Sequence, residues 1–260
     1  MVVEEYIPCI IYSGGRNIFE LHFTIPNKPG QLRRALKIFS EHNIDLVNIS
    51  TYSLPDWDRA PVFMFADFTD SDVSIEDIKK MLEQTTGDKV HVKVHPPKRF
   101  IIGELAFPLY IFPGVRCLIL TEYNFREMIK GFYEKMGETA AVFLYHLAYS
   151  GGKFIGKYLA GKLSLKDEAL LTEVLKFYQA CGWGRVKLVK YNPKKLKIAI
   201  RIYDSIECGI FKNRDKPVSQ LIRGHISGVL SGLLEKEVRV METKCIAKGD
   251  PYCEFHMEKV

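Results

Sequence analysis

No stretch of this 260-residue sequence stays apolar long enough to cross a bilayer. The longest uncharged apolar run lies near Thr139–Gly152, short of the ~20 residues that a spanning helix needs. Met1 to Tyr12 lack a basic start followed by a long apolar core, so they do not read as a secretory leader. No G-x-G-x-x-G follows a strand, and there is no P-loop, no H-E-x-x-H and no evident Ser-His-Asp set. Nothing has the spacing of a helix-turn-helix or a zinc finger. Low-complexity segments and internal repeats are also missing. These absences point to a cytoplasmic protein with no membrane association and no direct nucleic-acid binding.

The chain is 47% hydrophobic and 26% charged, a globular composition long enough for two cores. Its net charge of +6 is mild. The cluster Lys194, Lys195 and Lys197 sits beside Asn192-Pro193 and reads as a solvated turn. An acidic small molecule would be attracted. Cys9, Cys117, Cys181 and Cys208 are isolated in apolar segments, as reduced core thiols are. Cys245 and Cys253 differ, because a short turn separates them.

Periodicity divides the chain. Phe19–Ile25 alternates as a strand and is broken by Asn27-Lys28-Pro29-Gly30. Leu32, Ala35, Leu36 and Phe39 have helical spacing. Ile44–Tyr52 and Val62–Phe68 are β-rich runs. Ser74-Ile75-Glu76-Asp77 resembles a capping box for a second helix that Gly87 ends. Val90, Val92 and Val94 alternate with His91, Lys93 and His95, which places both histidines on a solvated face. The order is that of a split, ferredoxin-like βαββαβ unit. The segment Phe23–Leu32, with its Pro-Gly-x-Leu turn, resembles the opening of an ACT domain, over residues 17–97. That resemblance implies an amino-acid-like effector at Asn27, Lys28, Pro29, Gly30 and Gln31, where Gly30 lets backbone N–H groups approach a carboxylate. A tight turn without a ligand is the alternative. His95–Arg99, with two prolines, reads as a linker.

Residues 103–260 form the second expected domain. Helical patterns cover Phe125–Tyr133, Glu138–Tyr149 ending at Gly151-Gly152, Phe154–Leu159, and a helix capped by Ser164–Asp167. A hairpin follows around Asn192-Pro193. Pro217 then opens a long helix in which Gly224, Gly228 and Gly232 recur. Each glycine costs helix stability, so close packing of a backbone or a ligand is expected on that side. Two strands end the chain. The fold class is therefore α+β, a ferredoxin-like domain followed by helices packed on an antiparallel sheet.

Gly151-Gly152, Gly156, the run Lys216–Gly228 and the tail Glu242-x-x-Cys245, Gly249-Asp250-x-x-Cys253-x-Phe255 resemble the vinyl-4-reductase-type (4VR) domain. That domain is related to the sensor part of aromatic-responsive activators and to transport-particle subunits. The resemblance implies an apolar pocket, a homodimer and zinc held by Glu242, Cys245, Cys253 and an earlier cysteine. Ser219 stands at that earlier position, which leaves Cys208, His225 or water as the fourth ligand. Plain thiols or a hairpin disulfide are the alternatives for Cys245 and Cys253. Tyr145, Trp183, Tyr203, Phe211 and His225 are the candidate pocket residues. A small-molecule-sensing regulator acting on a separate partner is the leading reading. A reductase-like enzyme and an acyl-binding scaffold are the others.

Overall fold

A computed structural model describes residues 4–7, 9–96, 99–195 and 197–258. Met1–Val3 and Pro8 of the segment read for a leader, and Pro97 and Lys98 of the expected linker, lie outside the described residues. The chain forms two compact units, Met1–Leu118 and Ile119–Val260.

In the first unit, β1 (Ile10–Tyr12) precedes β2 (Ile18–Pro26), α1 (Gln31–Glu41), β3 (Asp45–Thr51), β4 (Arg59–Asp67), α2 (Ile75–Thr86) and β5 (His91–Val94). The sheet order is β3-β4-β2-β5, antiparallel throughout. Alternation along β2 sends Leu21, Phe23 and Ile25 into a core with Ala35, Phe39, Ile78 and Leu82 of the helices. The capping box forms: Ser74 Oγ accepts from Asp77 N, and Gly87 closes α2 with φ 67°.

The opposite face of that sheet is not bare. β6 (Phe100–Ile102) pairs with β1, and Ile11 and Ile101 pack with Ile18, Phe63 and Phe65. Glu20 is fully buried there. Its carboxylate accepts from the backbone N–H groups of Glu104 and Leu105 and lies 2.9 Å from His95 Nε2. His95 is therefore buried rather than solvated, because a buried carboxylate must be paired. His91 does remain exposed. The short hairpin of β7 (Tyr110–Phe112) and β8 (Val115–Arg116) has no counterpart in the sequence reading.

The second unit contains α3 (Glu122–Met136), α4 (Thr139–Lys162), α5 (Asp167–Ala180), β9 (Arg185–Asn192), β10 (Lys197–Tyr203), α6 (Gln220–Leu234), β11 (Arg239–Lys244) and β12 (Cys253–Glu258). The sheet order is β11-β12-β10-β9, antiparallel. Its inner face, with Ile198, Ile200, Ile202, Val240 and Phe255, meets Leu171, Tyr178, Ile222 and Ile226 of the helices.

Two expectations change here. α4 runs unbroken through Gly151-Gly152, so the glycines do not separate two helices. Gly152 instead lets α6 approach: a Cβ there would stand 2.1 Å from the His225 carbonyl oxygen. Gly156, Gly224 and Gly228 are equally tight against the facing backbone. The cap expected at Ser164 is also absent; Lys166 precedes α5 with no side-chain cap.

Candidate metal centre

Four buried side chains converge at one end of the second unit. Cys208 lies in the short turn Cys208–Ile210 after β10. Glu242 sits on the inner face of β11, Cys245 just beyond it, and Cys253 opens β12. One donor atom from each lies within 4.8 Å of all the others. Cys208 Sγ is 3.4 Å from Cys245 Sγ and 3.3 Å from Cys253 Sγ, and all six cysteines are free thiols.

The turn between the last two strands fixes this approach. Asp250 accepts from Cys245 N at 2.8 Å, and Gly249 adopts φ 99° to close it. Ile246 N points at Cys253 Sγ from 3.5 Å.

Ser219, at the position where a cysteine was expected, orients a ligand instead. Its hydroxyl donates to Glu242 Oε1 at 2.7 Å and its N–H to Oε2 at 3.1 Å. The next carboxylate, Glu207, receives the N–H groups of Leu221 and Ile222, both at 2.8 Å. It caps α6 and is not part of the cluster.

The charge balance favours a cation. Hydrogen bonds from Cys208 and Cys253 hold the Cys245 thiol far below its usual range, at about 2. The same contact with Cys245 pushes Cys208 up. Cys253 is lowered by Cys208, but its contact with Cys245 and its burial together raise it. Burial first, then Cys245, raises Glu242 to about 8. Three thiols and a carboxylate thus crowd a dry site that retains little of its possible negative charge. A divalent cation would ionise all four. The donor set and spacing fit a tetrahedral ion of the zinc type.

The candidate pocket residues divide. His225 is 5% exposed, joined to the Tyr178 hydroxyl at 2.7 Å and packed 4.9 Å from the Trp183 ring. Tyr145 lies under the Arg223 guanidinium at 4.6 Å, and its buried hydroxyl has no partner. Phe211 meets Tyr133 edge-on. Tyr203 points away from the core and meets Tyr252. The fully buried Tyr178 is the residue that sequence reasoning missed; its inward position on α5 was the only signal.

In the first unit, Gly30 takes φ 85° at the start of α1. Asn27 is a structural tie, donating to the carbonyls of Leu54 and Trp57. One open cleft of about 770 Å³ runs along α1 and β3, lined by Leu32, Leu36 and Leu46. A second, of about 600 Å³, is lined by Leu120, Cys181, Asp204 and Pro251 in the second unit.

Burial lowers His225 from 6.5 to about 4. Between those values the unfolded chain binds the proton more tightly. The histidine's contribution is complete above its unfolded pKa and is lost as pH falls toward 4. Relative to His225→Gln, the wild-type chain is expected to lose about 3 kcal/mol across that window. Glu207 and Glu242, raised by burial to about 7 and about 8, act in the opposite sense but are common to both proteins. Chemical denaturation of the pair at several pH values checks this; a constant difference would contradict a neutral, buried His225.

The ACT domain family matches residues 20–83, and the vinyl-4-reductase-type (4VR) domain family matches residues 198–259. The chain thus joins an ACT domain to a 4VR domain. It is 30% identical over 188 residues to the uncharacterized protein MJ0150 of Methanocaldococcus jannaschii, covering 72% of this chain and 91% of that one. It belongs to that protein's family. MJ1642 of the same organism is 31% identical over 107 residues, 41% of this chain, and the match spans 62% of that relative's length. The crystal structure of the phenol-responsive sensory domain of the transcription activator PoxR with phenol shares the fold. Its TM-score is 0.50 at 19% identity, over 55% of this chain and 76% of that one. Among the described residues no helix is long and apolar enough to cross a membrane.

Proposed function

We propose that this chain is a ligand-sensing regulator. Its carboxy-terminal module is braced by zinc on Cys208, Glu242, Cys245 and Cys253 and takes an apolar or aromatic molecule beside His225. The buried trio of His225, Tyr178 and Trp183 carries the reading. It offers a neutral imidazole inside an aromatic wall, which suits a ring with one polar group. Trp183 stands between Gly182 and Gly184, both at positive φ, so a short turn can swing its ring aside. The shared fold with the phenol-responsive sensory domain supports the same ligand class.

In the amino-terminal module, the loop Asn27, Lys28, Pro29, Gly30 and Gln31 is the proposed site for an amino-acid-like effector. Two such modules allow coupling between two ligands. The signal passes through packing of a homodimer to a separate partner. None of these roles needs a covalent step.

Trp57 and Trp183 are the two tryptophans, so Trp57→Phe isolates the reporter in the trio. Phenol and substituted phenols titrated into that variant are expected to change its emission saturably. His225→Gln is expected to weaken binding about tenfold, the loss of one buried hydrogen bond. An emission unchanged across the series would overturn the aromatic-ligand reading.

A further inference from the structure

The carboxy-terminal sheet packs helices on one face only. The other face points outward and is basic. β9 supplies Arg185, Lys187 and Lys190, while β10 supplies Lys197 and Arg201. β11 supplies Arg239 and Lys244, and Lys194 and Lys195 stand at the β9–β10 turn. Asp204, Glu254 and Glu258 are the carboxylates on this face and its border. The whole chain holds 37 Lys and Arg against 31 Asp and Glu, and removing these nine and three leaves 28 of each. The excess charge that looked dispersed in the sequence is therefore equalled by this one surface.

Part of the array is held in place. The Arg201 guanidinium lies 4.5 Å from the Tyr252 ring centre and the Lys244 ammonium 4.9 Å from it. Lys244 Nζ also donates to the Tyr252 hydroxyl at 3.1 Å, and Glu254 pairs with Arg201. Arg185 covers Tyr203, whose ring meets Tyr252 edge-on at 5.4 Å. Such contacts reduce the side-chain freedom that a docking partner would otherwise have to freeze.

The geometry points to a docking face for an acidic polypeptide segment of a partner protein. Charge complementarity selects an anionic partner. The two tyrosines are already engaged by cations and by each other, which leaves no open ring on which successive nucleobases would stack. Fixed guanidinium and ammonium groups match carboxylates directly. The inference rests on the regulator reading, in which a separate partner receives the signal. It also places that partner next to the thiol cluster, because Lys244 precedes Cys245 and Tyr252 precedes Cys253 in the chain.

Fluorescein-labelled oligoglutamate of about 20 residues, titrated into the full chain at about 0.05 M salt, tests this by anisotropy. Saturable binding is expected, weakened about tenfold or more by Lys187→Glu/Lys190→Glu/Lys197→Glu. The glutamine versions of the same three sites should weaken it less. Lys37→Glu/Lys80→Glu/Lys89→Glu, an equal charge change on exposed lysines of the first unit, should retain binding. Unchanged melting temperatures confirm that the variants fold. No binding, equal loss in both triple variants, or tighter binding of single-stranded RNA of the same length would each overturn the proposal. The titration needs neither effector nor added metal, so its failure leaves the sensor reading standing.

Discussion

Gly228→Ala is expected to unfold the carboxy-terminal unit. The added Cβ would lie 2.1 Å from the Tyr149 carbonyl oxygen and 2.7 Å from Lys153 N. Both are backbone atoms of α4, so no side-chain rotation relieves the clash. The helices must separate, and separation opens a core that contains Ile222, Ile226 and Leu230. Ordinary overpacking costs about 1–3 kcal/mol; displacing a whole helix should cost about 4 kcal/mol or more, a large share of a domain's stability. Gly151 is the control. It lies in the same helix beside Gly152, but a Cβ there meets nothing within 4 Å. Gly151→Ala should be neutral or stabilising by up to about 1 kcal/mol. Guanidinium unfolding followed through Trp183 separates the two. Equal tolerance of both substitutions would refute the α4–α6 contact.

The second large effect concerns the cluster. Cys208→Ser is expected to lose bound metal and to destabilise the carboxy-terminal unit by several kcal/mol, because a structural zinc contributes its binding energy to folding. Ser219→Ala is expected to keep the metal with weaker affinity, roughly tenfold to a hundredfold, as for removal of a group that orients a ligand. The contrast matters because Ser219 holds Glu242 through both its hydroxyl and its N–H, while Cys208 supplies a donor atom. If Ser219→Ala abolished binding and Cys208→Ser did not, the roles assigned to the two residues would be reversed.

Much of this architecture was legible from residue patterns. Alternation in Phe19–Ile25 and in Val90–Val94 defined strands, because one sheet face is buried and a one-residue slip would invert every side chain. The ends of α2 were readable because Ser74 and Gly87 act locally. The spacing of Gly224, Gly228 and Gly232 announced a close approach, though not by which backbone. The glycine pair at Gly151-Gly152 misled for that reason: a residue that ends helices in isolation can also sit inside one where another helix needs the space.

What stayed hidden depended on distant contacts. Cys208 lies 34 residues before Glu242 and joins the site only because the loop after β10 folds onto the β11–β12 turn. His95 looked solvated because strand alternation does not register the segment that brings Glu104 over it. The link between Tyr178 and His225, 47 residues apart, is likewise invisible to spacing. Tyr203 carried the right chemistry for a pocket on the wrong side of its strand.

The most direct test of the central claim is zinc content per chain, read by native mass spectrometry and elemental analysis of the purified full chain. A metal-braced sensor should carry one zinc per chain, retained in Ser219→Ala at saturating zinc and absent from Cys245→Ser/Cys253→Ser. A folded wild-type protein that stays metal-free with zinc in excess, its thiols unmodified, would contradict it.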